Sequence, residues 1–323
     1  MRRSVMFLAA ALAAPLSLTA QTPYSACNQP LITASQQNIN ICNAAIDGAE
    51  IFHPVAGILV SGGNPVLGSV GTLGGFPHFA ITARGNATQL VTPDLNYDGT
   101  GTTVPRSDKL FAPAPVVEAA VGVIRGLGPS GFLSIDLLGS ASLLPTSQID
   151  GLSVDKDATK IGEVALGLGY GARVGVIRGR GFIPSVTVSA MKRSIPRITY
   201  GDVAGGDQYA YSVDLDATNL RAVAGYHLAL LNVGVGVGYD KYTSEARITF
   251  EDQLLAGPIT VRHDLENSRN LAFLTASLDM PVVKIGAELG YQLGKDETYK
   301  TDFQGIDPTA NRLFGSAGIR FSF

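Results

Sequence analysis

Along much of the chain, apolar side chains fall at every second position. In Val282 to Leu293, "VVKIGAELGYQL", Val283, Ile285, Ala287, Leu289, Tyr291 and Leu293 share one parity, and Lys284, Gly286, Glu288, Gly290 and Gln292 the other. Successive side chains of a strand point to opposite faces, so this is a strand with one apolar and one polar face. The same holds for Val117 to Val123 against Glu118, and for Leu133 to Leu143 against Ser134, Asp136 and Ser140. Val164 to Ala172 alternates with Glu163 and Arg173, Leu220 to Leu228 with Arg221 and His227, and Val233 to Tyr239 with Gly234, Gly236 and Gly238. The last residues, "RLFGSAGIRFSF", put Leu313, Ala317, Ile319, Phe321 and Phe323 on one face. One such segment can arise by chance; its repetition marks an architecture.

The links between these segments alternate in length. Short turns at Gly126 to Gly131, Gly179 to Gly181, Leu230 to Asn232 and Asp279 to Pro281 separate longer polar links at Pro93 to Phe111, Pro145 to Asp157, Tyr200 to Gln208, Glu251 to Pro258 and Gly294 to Asn311. Counting from Phe79 predicts about ten strands, an even number. The expected fold is all-β, an antiparallel transmembrane barrel over residues 76–323 with lipid on the apolar face. Glu118, Asp136, Glu163, Arg173, Arg221, His227, Lys284, Glu288 and Arg320 are then expected to line the lumen. A new charge should be costly at Leu289, on the lipid face, and much less so at Glu288. A soluble β-sandwich or lipocalin-like cup would use shorter strands.

Composition changes the picture in one respect. The chain is 46% hydrophobic, yet after Leu18 no apolar run is long enough for a membrane helix. Its 38 glycines in 323 residues exceed the ~7% average. Apolarity dispersed at alternate positions is how a membrane barrel carries its lipid face. A net charge of −3 argues against a nucleic-acid partner.

The start of the chain differs in kind. Arg2 and Arg3, an apolar stretch to Leu18 and then Thr19-Ala20-Gln21 predict an export signal over residues 1–20. Residues 21–75 hold the only two cysteines, Cys27 and Cys42, which an oxidising compartment would join. Thr33 and Gln36 suggest a capping box, and Ile39, Cys42 and Ile46 follow at helical spacing, predicting a helix from Ala34 to about Ala49. A glycine-rich approach, Gly62 to Phe79, leads into the first strand. The segment is too small to bury a core alone. It is expected to plug the periplasmic mouth of the barrel.

Candidate chemistry is sparse, and no enzyme, cofactor or metal site is expected. His53 and His78 sit beside prolines, and His263-Asp264 are strand neighbours that point opposite ways, so Asp264 cannot simply orient His263. No nucleophile motif and no His/Cys cluster with metal spacing occurs.

With its leader, alternating strands and a final strand ending on Phe323, the chain resembles the bacterial outer-membrane β-barrel class. That resemblance implies Ile319, Phe321 and Phe323 as a signal for the barrel-assembly machinery, and outer-membrane lipid as the surroundings. The N-terminal segment with Gly63-Asn64-Pro65 also resembles the long-chain fatty-acid transporter family, whose barrels have more strands; no binding residue carries over. The expected function is a narrow or gated conduit for small solutes, the alternative a structural or interaction barrel whose lumen is filled. The solute is not legible.

Overall fold

The alternating segments pair into one closed wall. The computed structural model describes residues 22–323 apart from 129, 146–151, 155–157, 162–163, 253, 255–256 and 308. The expected leader and Glu163 lie outside the described residues. The long strands are β1 (Phe79–Pro93), β2 (Arg106–Ile124), β3 (Ser134–Pro145), β4 (Val164–Ile177), β5 (Ser185–Tyr200), β6 (Tyr209–Leu228), β7 (Leu231–Glu251), β8 (Pro258–Asp279), β9 (Val283–Gln292) and β10 (Arg312–Ser322). Each pairs antiparallel with its sequence neighbours. β1 also pairs with β10, from Ala80↔Ser322 to Thr88↔Phe314, which closes an antiparallel barrel of 10 strands. At the seam Phe79 and Phe323 exchange backbone hydrogen bonds of 3.0 and 2.9 Å, and their rings stack with centroids 4.9 Å apart. A closed sheet leaves no unpaired edge.

Around the wall, the outward faces carry Val117, Val121, Leu137, Leu168, Val188, Leu220, Val235, Leu274, Leu289 and Ile319, all exposed. An unbroken apolar band of this kind is what a barrel presents to lipid rather than to water. Tyr170, Tyr239 and Tyr291 are exposed along one edge of the band, and Phe79, Tyr226, Phe321 and Phe323 along the other. These are the positions of the interfacial aromatic girdles, here built without tryptophan.

Strands β6, β7 and β8 run past the band, and their polarity inverts there. On β6 the outward residues change from Leu220, Ala222 and Ala224 to Thr218, Asp216 and Asp214. The inward ones change from Arg221 and Asn219 to Leu215, Val213, Tyr211 and Tyr209, all buried. Likewise β7 turns Lys241, Thr243 and Arg247 outward and buries Ala246, Ile248 and Phe250. β8 exposes Arg262, Asp264 and Glu266 and buries Val261 and Leu265. Water is therefore outside and an apolar core inside. This part of the wall is a water-facing head built on the same strands as the lipid-facing barrel.

Inside the wall runs one helix. A short helix α1 (Pro30–Thr33) precedes α2 (Gln36–Ser61), whose 26 residues extend about 39 Å. α2 continues well beyond Ala49, through Pro54, and stops at Gly62, whose φ of 58° suits glycine. Ser35 rather than Ala34 flanks its start, and no side chain caps it. The expected capping box is absent: the Thr33 hydroxyl instead donates to the Gln29 carbonyl at 3.0 Å. Nor does the segment merely cover one mouth. Ile41, Ala45 and Ile46 pack in the head against Tyr209, Ile248 and Phe250, while Ile58 packs deep in the lumen against Val223, Leu271 and Phe273. Residues 62–75 then lead as an extended strap to the turn end, where β1 begins.

Candidate functional site: the plugged lumen

The inner faces of the strands meet α2 and its strap at successive depths. In the head, Cys27 and Cys42 form a fully buried disulfide that ties the chain before α1 to the second turn of α2. The closed loop stabilises by about 3 kcal/mol on the chain-entropy model. The buried Asp47 carboxylate accepts from the Thr301 amide at 2.7 Å, the Thr301 hydroxyl at 2.5 Å, the Lys300 amide at 2.9 Å and the Tyr24 hydroxyl at 2.5 Å. Asn40 donates to the carbonyls of Gly99 and Gly101 at 2.9 and 3.0 Å, and Asn38 to Asp252 at 2.9 Å. Three of the long links are thus fastened to one helix.

Halfway down, Gly57 faces Tyr242 so closely that a Cβ there would overlap the ring. The Tyr242 hydroxyl donates to Asp240 at 2.7 Å, and Gln292 donates to the Pro54 carbonyl at 3.2 Å. His53 lies inside α2, buried, with Nε2 2.8 Å from the Ser244 hydroxyl. Gly236 leaves room for the Phe273 ring and Gly238 for the Arg221 guanidinium, so these inner-face glycines are occupied by neighbours rather than leaving open space.

The end of α2 is held by charge. Its last carbonyls carry the negative end of the helix dipole and have no partners within the helix. Arg84 donates to the carbonyls of Ser61 and Asn64, both at 2.8 Å. Arg221 donates to those of Gly62 and Gly63 at 2.9 and 2.8 Å. The Glu288 carboxylate accepts from the Gly63 and Asn64 amides, each at 2.7 Å. Further along, Arg320 donates to the Leu67 carbonyl at 2.8 Å, and Asp136 accepts from the Leu73 amide at 3.1 Å.

Each of these guanidinium groups also has a carboxylate. Arg221 meets Asp240 at 2.5 Å, Arg173 meets Asp136 at 2.6 Å, and Glu118 lies 2.9 Å from Arg84 and 3.5 Å from Arg193. Arg320 reaches Asp279 at 3.9 Å, and Lys284 pairs with the same carboxylate at 2.5 Å. Buried pairs of this kind persist when both charges are matched and their remaining donors and acceptors are satisfied. Here the strap's backbone supplies many of those partners, so the wall charges and the plug require each other.

Glu118, Asp136, Arg173, Arg221, Glu288 and Arg320 therefore lie together inside the barrel, buried. Lys284 sits lower, partly exposed. His227 departs from the expected lumen position: it is exposed beside the short β6–β7 turn, with Nδ1 2.7 Å from the Asn232 side chain. Its parity is inward, but it lies past the rim. Glu288 is expected to tolerate a new charge better than Leu289, but both its oxygens accept from strap amides, so its replacement also removes two contacts to the plug. The cluster also holds Arg84, Arg193 and Asp240, which are not among the expected lumen residues, although Thr82, Arg84, Asn86 and Thr88 show the period-2 signal on β1. Ile319 and Phe321 face outward in the band.

No family model and no curated protein matches the sequence. Among solved structures, the outer-membrane protease OmpT of Escherichia coli is 12% identical, with 79% of this chain and 100% of that chain covered and a TM-score of 0.40. The translocator domain of the autotransporter NalP of Neisseria meningitidis is 11% identical, covering 86% of this chain and 98% of its own, at a TM-score of 0.40. The transport unit of the autotransporter AIDA-I of Escherichia coli is 8% identical over 86% and 99%, at 0.37. Likenesses at this level say nothing of what this chain does.

Proposed function

We propose that this chain is exported to a bacterial outer membrane and works there as a plugged interaction or structural barrel rather than as a standing pore. The observation that carries the reading is the lumen itself: α2 and its strap run through it and are fastened to the wall by buried arginines and carboxylates. Outer-membrane barrels keep short turns on the periplasmic side and longer segments outside. That rule puts the head, the disulfide and the N-terminal end of α2 on the outer surface, and residues 62–75 on the way back to the periplasm. The product is an extracellular platform made of the described parts of the long links and residues 22–35.

A gated conduit is the second reading. It is favoured by buried polar atoms that lack a hydrogen-bond partner beside the plug, namely Glu118 Oε2, Arg193 Nε and the Ser140 hydroxyl. Such atoms are commonly satisfied by water. Neither reading assigns catalysis. His263 faces inward, 3.4 Å from Glu50, and Asp264 faces outward.

An epitope inserted before Thr22 tests the surface reading. It is expected to bind antibody on intact cells as well as on permeabilised ones. Binding only after permeabilisation would place the head on the wrong side. In the same cells a chain lacking Phe323 is expected to lose the signal, because the ring and the backbone pairs at the Phe79 seam complete the last strand and its assembly signal. Full surface signal from that truncated chain would remove Phe323 from assembly.

A further inference from the structure

At the turn end of the wall, one sector differs from the rest. The β2–β3 turn (residues 125–133) and the β4–β5 turn (residues 178–184) lie side by side: Arg178 donates its amide to the Ser130 carbonyl at 2.7 Å and its guanidinium to the Arg125 carbonyl at 3.2 Å. A side chain at Gly131 would come within 2.9 Å of Arg178 Nε, so the bare glycine lets that guanidinium lie against the neighbouring turn. Arg180 follows on the same turn, where its backbone bonds to Ile183. Arg125, Arg178 and Arg180 are all exposed.

None of these three has an acidic partner among the described residues, whereas four exposed bases of the head do. Lys241 pairs with Glu266, Arg247 and Arg262 with Glu245, and Lys295 with Glu297. The turn-end arginines therefore leave an uncompensated positive patch. Its depth is set by its neighbours. Arg125 follows Ile124 and Arg178 follows Ile177, each an outward apolar residue at the edge of the band, 47% and 39% exposed. Val123, Leu137 and Val188 continue the exposed apolar wall above them, and Leu127, Phe132, Phe182 and Ile183 flank them at the turn. A guanidinium one residue beyond the last lipid-facing side chain sits at the level of headgroups, and its planar fork of donors matches a phosphate.

We propose that Arg125, Arg178 and Arg180 bind the phosphate of an anionic glycerophospholipid in the periplasmic leaflet, with its acyl chains against the wall of β2 to β5. The proposal rests on the outer-membrane reading. The other turns at this end, at residues 229–230 and 280–282, expose Leu230, Met280 and Val282 but no arginine, so the site belongs to one side of the barrel.

The test uses the full mature chain in nanodiscs of mixed phosphatidylcholine and phosphatidylglycerol, with the lipids it retains counted by native mass spectrometry. An arginine near an anionic surface is worth roughly fivefold in binding. The intact chain is expected to enrich phosphatidylglycerol by at least about that factor. The R125Q/R178Q/R180Q chain should retain both lipids equally, while the K241Q/R247Q/R262Q chain, altered in the head, should behave as the intact one. Undiminished enrichment in the first variant, or no enrichment in the intact chain, overturns the proposal. Equal retention of both lipids with saturable binding of inorganic phosphate would also overturn it, in favour of a free-anion site. A chain that does not enter the bilayer overturns the membrane reading instead, and the proposal with it.

Discussion

Arg221→Met is expected to destabilise the barrel by about 3–5 kcal/mol, the cost of stranding one member of a buried ion pair. The guanidinium is buried with Asp240 at 2.5 Å and also holds the carbonyls of Gly62 and Gly63. Its removal leaves Asp240 with the Asn219 amide at 2.6 Å and the Tyr242 hydroxyl at 2.7 Å, and takes two carbonyl contacts from the end of α2. Urea unfolding monitored by heat-modifiable mobility reads the loss. Adding Asp240→Asn should restore a large part of it, since the stranded charge disappears, although the carbonyl contacts stay lost. A single variant as stable as the intact chain would mean that the clamp does not hold the plug.

The polarity inversion makes a prediction within one strand and one face. Val235 and Thr243 both point outward on β7, the first within the apolar band at 56% exposure and the second beyond it. Val235→Arg is expected to cost about 2–4 kcal/mol, the price of a cation near the middle of the lipid face. Thr243→Arg, an exposed change in water, should stay within about 0.5 kcal/mol. Denaturant titration in lipid vesicles separates the two. Equal costs would mean that the bilayer does not end between Tyr239 and Lys241.

What the chain reveals unaided follows from what surrounds each segment. β9 and the lower half of β7 are legible because lipid lies on one side and a polar lumen on the other, so period 2 is clean. The upper halves of β6 to β8 are obscured: Tyr209, Tyr211 and Val213 have the parity of Arg221, not of Leu220, so the apolar face changes side midway along the strand. A period-2 reading sees that as a break. α2 beyond Ala49 is hidden for another reason. Enclosed by the wall on every side, it has no polar stripe to set a 3.6-residue period, and Pro54 reads as a stop. The lumen charges on β2, β3, β4, β6, β9 and β10 are visible as polar positions, but their partners are not. Many of those partners are backbone carbonyls and amides of residues 61–73, and a hydrogen bond to the main chain leaves no trace in residue type.

Closure of the lumen is the central claim, and single-channel recording in planar bilayers tests it most directly. The intact chain should be silent across the voltage range, and a chain lacking residues 22–61 should conduct, because the wall strands remain and the helix that fills them is gone. Steady conductance by the intact chain would contradict the account, and so would a silent barrel after the helix is removed.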